Sequence, residues 1–288
     1  MIITGKYPKL RMRRSRKTDW MRRLVRENSL SSNDFILPIF VTEGKNKKIP
    51  IKTMPEVFRY SVDKLGQIVD RALKLKIPMV AIFPQTNSGL KDSYGSEALN
   101  ENNLVCKAIR KIKDKYKNEI GIMTDVALDP YTSHGHDGIL RNKRILNDET
   151  IEILIQQSLL QAQMGSDVIA PSDMMDGRIG EIRQELDNNS LKDIKILSYA
   201  VKYASSFYGP FRDAVGSKKS LKGDKKTYQM DFSNSEEALR EVALDIKEGA
   251  DLVMVKPGLP YLDIIKKVKE NFKIPVLAYQ VSGEYSLL

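Results

Sequence analysis

Residues 251–257 read DLVMVKP, four apolar side chains in a row closed by Lys256 and Pro257. A run this short, rich in valine and without helical periodicity, predicts a strand buried on both faces, as in a parallel sheet covered by helices. Just upstream, SEEALREVALDIKEGA at 235–250 repeats its apolar residues at helical spacing, with Ser235 read as the N-cap and Gly249 as the stop. The same alternation extends outward. Strand-like runs recur as ILPIFV at 36–41, MVAIFP at 79–84, GIMTDVAL at 121–128, DVIAPS at 167–172, ILSYAVK at 196–202 and VLAYQVS at 276–282. Amphipathic stretches such as VDKLGQIVDRALKLK and ETIEILIQQSLLQAQM lie between them. Seven strands alternating with helices predict an α/β fold of the (β/α)8 TIM-barrel type. Closure needs one more strand, and only six residues follow the seventh run, so the eighth strand is expected to be missing from this chain. The expected organisation is a basic N-terminal arm at 1–30 followed by an incomplete barrel domain at 31–288.

Composition narrows the class. With 41% hydrophobic and 29% charged residues and no low-complexity tract, disorder, fibres and coiled coils are set aside. No apolar run approaches the roughly 20 residues of a membrane helix, and Arg and Lys crowd the N-terminus where a signal peptide would need an apolar centre. A cytoplasmic protein is expected. One cysteine, Cys106, excludes an internal disulfide and any thiolate cluster within one chain, and its place in LVCKAIRKIK reads as a buried small residue. The net charge of +10 is concentrated: residues 1–26 hold ten Lys or Arg against Asp19, which is +9, and leave the remainder at +1. Such an arm suits RNA, an anionic membrane or a partner subunit. Its only aromatic in RMRRSRKTDWMRRLVREN is Trp20, which offers no stacking platform for nucleic acid, so a subunit-contacting or solvated arm is preferred.

The C-terminal ends of barrel strands face the active site, and two lysines stand there. Lys202 ends ILSYAVK and Lys256 ends DLVMVK. A lysine at a barrel mouth is partly desolvated, and a second ammonium nearby lowers its pKa further, leaving an amine free to attack a carbonyl. Two of them point to imine chemistry on a keto substrate. Lysines that only bridge to a phosphate or carboxylate are the alternative. The segment TDVALDPYTSHGHDGIL adds Asp125, Asp129, Asp137 and both histidines, His134 and His136. Its donors could hold a metal, although Ser133, Gly135 and Gly138 make it a loop with weakly specific spacing. Asp125, at a strand end, could instead be a general base or orient a substrate amine, and carboxylates that merely cap turns are the bland reading. Beyond Lys202, Arg212, Lys218, Lys219, Lys222, Lys225 and Lys226 are interleaved with Gly209, Pro210, Gly216 and Gly223, the composition of an active-site lid. Arg212 suits a substrate carboxylate best, while most of the lysines read as solvated.

Taken together, RMRRSRKTDWMRRLVRENSLSSNDFILPIFV, YTSHGHDGIL, APSDMMDGRIGEIR, SYAVKYASSFYGPFRDA, TYQMDFSNSEEALREVALDIKEGADLVMVKPGLPYLDII and AYQVSGEY resemble the porphobilinogen synthase (5-aminolevulinate dehydratase) family over nearly the whole chain. The resemblance implies condensation of two 5-aminolevulinate molecules to porphobilinogen with loss of two waters, an early step toward haem and other tetrapyrroles. It implies that Lys256 forms a Schiff base with the propionate-side substrate and that Lys202 engages the acetate-side one. By the same resemblance Arg212 holds the acetate-side carboxylate, and Lys225 stands where the family usually has a second arginine. Gln229 closes over that substrate, Tyr279 and Ser282 contact the propionate side, and Asp125 serves the substrate amine. Zinc-dependent members place three cysteines where this chain has Ala127, Asp129 and Asp137, so no catalytic Zn2+ is expected. Glu241 matches an allosteric Mg2+ position between subunits, and the basic arm resembles one that wraps a neighbour, usually in a homo-octamer. Members continue about 40 residues past GEY, through a final strand bearing a tyrosine. Two other readings stand beside this one: another imine-forming aldolase or lyase, which needs only one essential lysine, and a non-catalytic truncated barrel acting as an oligomer partner or basic nucleic-acid binder. No nucleic acid or membrane partner is expected.

Overall fold

The computed structural model describes residues 5–209, 214–215, 221 and 223–288. Its strands in chain order are β1 (Ile36–Thr42), β2 (Lys48–Pro50), β3 (Phe58–Ser61), β4 (Met79–Gln85), β5 (Gly121–Val126), β6 (Ile139–Arg141), β7 (Arg144–Leu146), β8 (Val168–Pro171), β9 (Lys195–Lys202), β10 (Leu252–Lys256) and β11 (Val276–Ala278). One sheet runs β11-β10-β9-β8-β5-β4-β1-β3-β2, parallel throughout except for the antiparallel β2 at its edge. All seven sequence-predicted strands are in it, in the order that sequential βα units produce. The last is shorter than expected, because residues 279–281 leave the sheet and Ser282–Leu287 form a helix.

Alternation along each strand separates two surfaces. Val80 and Ile82 of β4, with Ile122 of β5, pack outward on the helices Leu65–Lys74 and Leu104–Tyr116. Ile169, Ile196, Val253 and Val255 do the same against Asn147–Gln163, Arg178–Asn188, Ser235–Glu248 and Leu262–Asn271. The opposite face gathers Phe40, Phe83, Met123, Ala170, Tyr199 and Met254, with Leu277 beside them, into a single cluster. Seven strands can feed one small cluster only if the sheet rolls around it, which makes this face the interior of a barrel. Curvature also brings the two ends of the sheet together: the Tyr285 hydroxyl donates to Pro55 O at 2.8 Å and the Ser286 hydroxyl to Thr53 O at 3.0 Å.

Local signals mostly held. The helix Ser235–Glu248 does end at Gly249 in the left-handed conformation (φ 107°), where glycine escapes the Cβ clash. Its N-cap is Asn234 rather than Ser235, whose hydroxyl accepts from Lys267 at 3.0 Å instead. Cys106 is fully buried, and burial pushes its thiol up to about 11, away from the reactive thiolate. Residues 5–35 carry no buried side chain and expose Trp20, Leu24 and Leu30. Among the described residues, no helix is long and apolar enough to cross a membrane.

Candidate active site

Lys202 and Lys256 end adjacent parallel strands as direct register partners, so both side chains leave the sheet at the same end. Each is only 6% exposed. Lys256 Nζ lies 4.2 Å from the ring centroid of Tyr279, 5.0 Å from that of Tyr199 and 5.6 Å from that of Tyr208. The ring faces attract a cation, but they cannot replace its water shell. Desolvation, followed by the neighbouring Lys202 charge, lowers Lys256 to about 7 despite the opposing pull of Asp125. A lysine in that range holds a large share of free amine at neutral pH, which is what attack on a ketone requires.

Lys202 has different company. Its ammonium donates to the Ser172 carbonyl and lies 3.5 Å from Asp137 Oδ2. Asp137 also binds Lys225 through Oδ1 at 2.7 Å, and Lys225 reaches Asp129 Oδ2 at 3.5 Å. Burial alone would raise the Asp137 carboxyl, but Lys202 and Lys225 outweigh it and hold it at about 2. Burial raises Asp129, against the opposing charge of Lys225. Asp125, at the end of β5, is pushed up to about 6 by burial, and its Oδ1 is enclosed without a hydrogen-bond partner. A carboxyl poised there exchanges protons readily near neutral pH.

The histidines fill structural places. The backbone N–H of His136 donates to His134 Nδ1 at 3.2 Å, so the His134 proton sits on Nε2, 3.3 Å from Ser93 O. His136 Nδ1 pairs with the Tyr228 hydroxyl at 3.1 Å. Among the described residues, no three His, Cys, Asp or Glu side chains gather as they would around an ion.

The delta-aminolevulinic acid dehydratase family model matches residues 9–288. The chain belongs to that family. It is 58% identical over 279 residues to the delta-aminolevulinic acid dehydratase of Bradyrhizobium diazoefficiens, covering 97% of this chain and 79% of the relative. With the enzyme of Methanothermus sociabilis it shares 51% identity, across 98% of this chain and 87% of the other. The crystal structure of the Toxoplasma gondii dehydratase in complex with its product porphobilinogen superposes with a TM-score of 0.92 at 45% identity, over 96% of this chain and 79% of that one. The activity is that of the family, a lyase that condenses two 5-aminolevulinate molecules to porphobilinogen for tetrapyrrole biosynthesis.

Of the remaining sequence-predicted residues, Lys225, Gln229, Tyr279 and Ser282 fall around the same mouth. Gln229 is buried, and Met230 beside it donates its N–H to Lys202 O at 3.0 Å, stitching this segment to the end of β9. Tyr279 faces Lys256, and Ser282 lies buried, its hydroxyl 3.4 Å from Phe207 O. Arg212, Lys218, Lys219 and Lys222 lie outside the described residues. Glu241 is elsewhere, on the outer helix Ser235–Glu248, where burial and the charges of Asp245 and Asp176 raise it to about 7 against the pull of Arg178.

Two features escaped the reading of the sequence. Glu284, completely buried, accepts from the backbone N–H groups of Gly258, Leu259 and Val281, at 3.4 Å for Gly258 and 2.6 Å for Val281. It clamps the loop after Lys256 to the segment carrying Tyr279 and Ser282. Beneath the site, the buried Arg178 lies 3.5 Å from Asp173 and 3.7 Å from Asp245, which also accepts from Ser198 of β9. The signal that could have found this pair was the DMMDGR run, which contains both Asp173 and Arg178.

Proposed function

We propose that the condensation runs through imines on Lys256 and Lys202. The observation that carries this is the amine of Lys256, enclosed by tyrosine rings and in register with a second lysine on the next strand. Lys256 attacks the ketone of the first substrate and releases one water to form the imine. Lys202, held by Asp137 and Ser172, engages the ketone of the second. Asp125 takes and returns the proton that the substrate amine must lose between steps. Lys225, paired with Asp129 and Asp137, and Arg212 of the lid hold the acetate-side carboxylate, with Gln229 closing over it. Tyr279 and Ser282 face the propionate-side substrate.

Asp129 and Asp137 do not fit a zinc site. They offer no thiolate, and the Lys225 ammonium already supplies their cation, so no step is routed through zinc. Family members use metal ions. Glu241 is the position for a magnesium ion, its carboxyl raised first by burial and then by the charges of Asp245 and Asp176, which a divalent cation would offset. Bound there, the ion would supply charge neutralisation between subunits. The exposed Trp20, Leu24 and Leu30 among basic residues support the reading of 1–30 as an arm wrapping a neighbour in a homo-octamer, with 31–288 as the catalytic barrel. The single cysteine accords with residence in the cytoplasm.

Borohydride trapping with 5-aminolevulinate, followed by peptide mass spectrometry, tests the reading. A reduced adduct on Lys256 is expected, and a folded chain that gives none refutes the assignment. For the metal, chelation followed by magnesium is expected to restore full activity, and recovery with zinc alone would contradict it.

A further inference from the structure

The loop that follows Lys256 is pinned by the buried Glu284, whose two oxygens divide three backbone donors between them. Oε1 accepts from the Leu259 N–H, and Oε2 accepts from the Gly258 N–H at 3.4 Å and the Val281 N–H at 2.6 Å. Taking a carboxylate out of water is costly, and donors aimed at both oxygens offset that cost. The two segments it joins also touch directly. The Gly258 N–H reaches Tyr279 O at 2.9 Å, and the Tyr279 N–H reaches Val255 O at 3.0 Å. A Cβ on Gly258 would meet Ala278 Cβ and Tyr279 O at 3.3 Å, so glycine permits this close approach.

One segment carries Lys256, and the other carries Tyr279 and Ser282. The helix Ser282–Leu287 has a second attachment that does not involve Glu284: Tyr285 donates to Pro55 O and Ser286 to Thr53 O, on the far side of the barrel. Docking of the helix and bracing of the lysine loop are therefore carried by different side chains.

We propose that Glu284 is a positioning residue for the propionate-side substrate, fixing the span between the Lys256 amine and the Tyr279 and Ser282 side chains. A ketone whose carboxylate lies at the matching distance is then held at both ends. The proposal rests on the reading of Lys256 as the imine-forming amine and of Tyr279 and Ser282 as propionate-side contacts. Glu284→Gln keeps the shape but exchanges one acceptor for a donor. One amide orientation releases Leu259, the other releases Gly258 and Val281, and in both an NH2 faces a backbone N–H.

Borohydride trapping of the full chain at pH 7 with two ketones tests it. Levulinate has the carbon chain and carboxylate of 5-aminolevulinate without the amine, and 2-pentanone lacks the carboxylate as well. The quantity read is the rate of adduct formation on Lys256 per unit ketone concentration. In the wild type levulinate should exceed 2-pentanone by about tenfold or more, the scale of a hydrogen bond to a charged group. In Glu284→Gln the ratio should fall to within about threefold of unity, with the 2-pentanone rate nearly unchanged. Tyr285→Phe, which loosens the other attachment of the same helix, should keep the wild-type ratio. Glu284→Asp retains the charge but is one methylene short, so an intermediate ratio is expected and remains informative should Glu284→Gln fold poorly. A full wild-type ratio in both Glu284 variants, or a parallel loss for both ketones, overturns the proposal and leaves the imine assignment intact. No preference between the ketones in the wild type overturns it too, whereas no Lys256 adduct at all overturns the imine assignment on which it rests.

Discussion

Lys256 and Lys202 are register partners on neighbouring strands and equally buried, yet their surroundings are opposite in kind. Lys256 stands among tyrosine rings that exclude water, with the Asp125 charge pulling against the loss of its proton. Lys202 is anchored to Asp137 and a carbonyl oxygen, inside a chain of charges that continues to Lys225 and Asp129. The strand end determines where each amine goes, and the neighbouring side chains determine its surroundings. Desolvation favours the free amine of Lys256, while Lys202 is held and oriented by Asp137 and the Ser172 carbonyl.

The largest effect expected is from removing either lysine. Lys256→Ala should abolish the borohydride adduct and lower turnover by about 10^4 or more, the scale seen when a covalent nucleophile is lost. Lys202→Ala should stop the condensation but leave the adduct on Lys256. Because Lys202 is also a like charge that depresses Lys256, the pH midpoint of trapping should rise in that variant. Full turnover in either variant would sink the two-lysine mechanism. Next comes Asp137→Asn, which strands Lys202 and Lys225 without their shared counter-ion. Loss of one partner of a buried pair costs about 3–5 kcal/mol, to be read from denaturant unfolding at pH 7. In the parent the folded Asp137 carboxyl, at about 2, lies below that of an unfolded aspartate. Its stabilisation is therefore complete above about pH 4 and disappears as the pH falls toward 2, a contribution of about 2 kcal/mol.

The same contrast marks what was legible in the sequence. Short apolar runs ending in lysine disclosed both strand ends, because burial on two faces imposes a composition that a single chain displays. β3 and the β6–β7 hairpin were missed. FRYS and RIL are too short and too charged to carry a period, and they are held by pairing with distant or turned-back chain. The Lys225–Asp137 pair joins residues 88 apart, a contact made by barrel curvature and invisible to spacing. Glu284 was missed for another reason: its partners are backbone N–H groups, which every residue but proline possesses and which leave no mark in a sequence. The carboxylate-holding role of Arg212 came from the motif it resembles, and its position lies outside the described residues.

A smaller change should move Lys256 toward the situation of an ordinary lysine. Tyr279→Ser opens one wall of the aromatic enclosure and admits water. Trapping in the parent should rise through a midpoint near pH 7, since the free amine is the reactive form. An unperturbed lysine would be only roughly one part in 3,000 free amine at that pH. Partial rehydration is expected to shift the midpoint upward by about one unit, a loss of about tenfold at pH 6. A midpoint that stays put would mean that desolvation by this ring is not what lowers Lys256, and that the rest of its enclosure and Lys202 govern it.

The smallest effect separates the two functions of the enclosure. Tyr199 is wholly buried, and its hydroxyl has no hydrogen-bond partner, although its ring lies over Lys256. Tyr199→Phe retains the ring and removes only the stranded hydroxyl, so stability should rise by about 1 kcal/mol with the trapping midpoint unchanged. Turnover decides what the hydroxyl is for. If it stays at the parental level, the group is a residue of packing and the pocket needs only a ring. If it falls while stability rises, the chain keeps an unsatisfied donor at a cost in stability because turnover uses it.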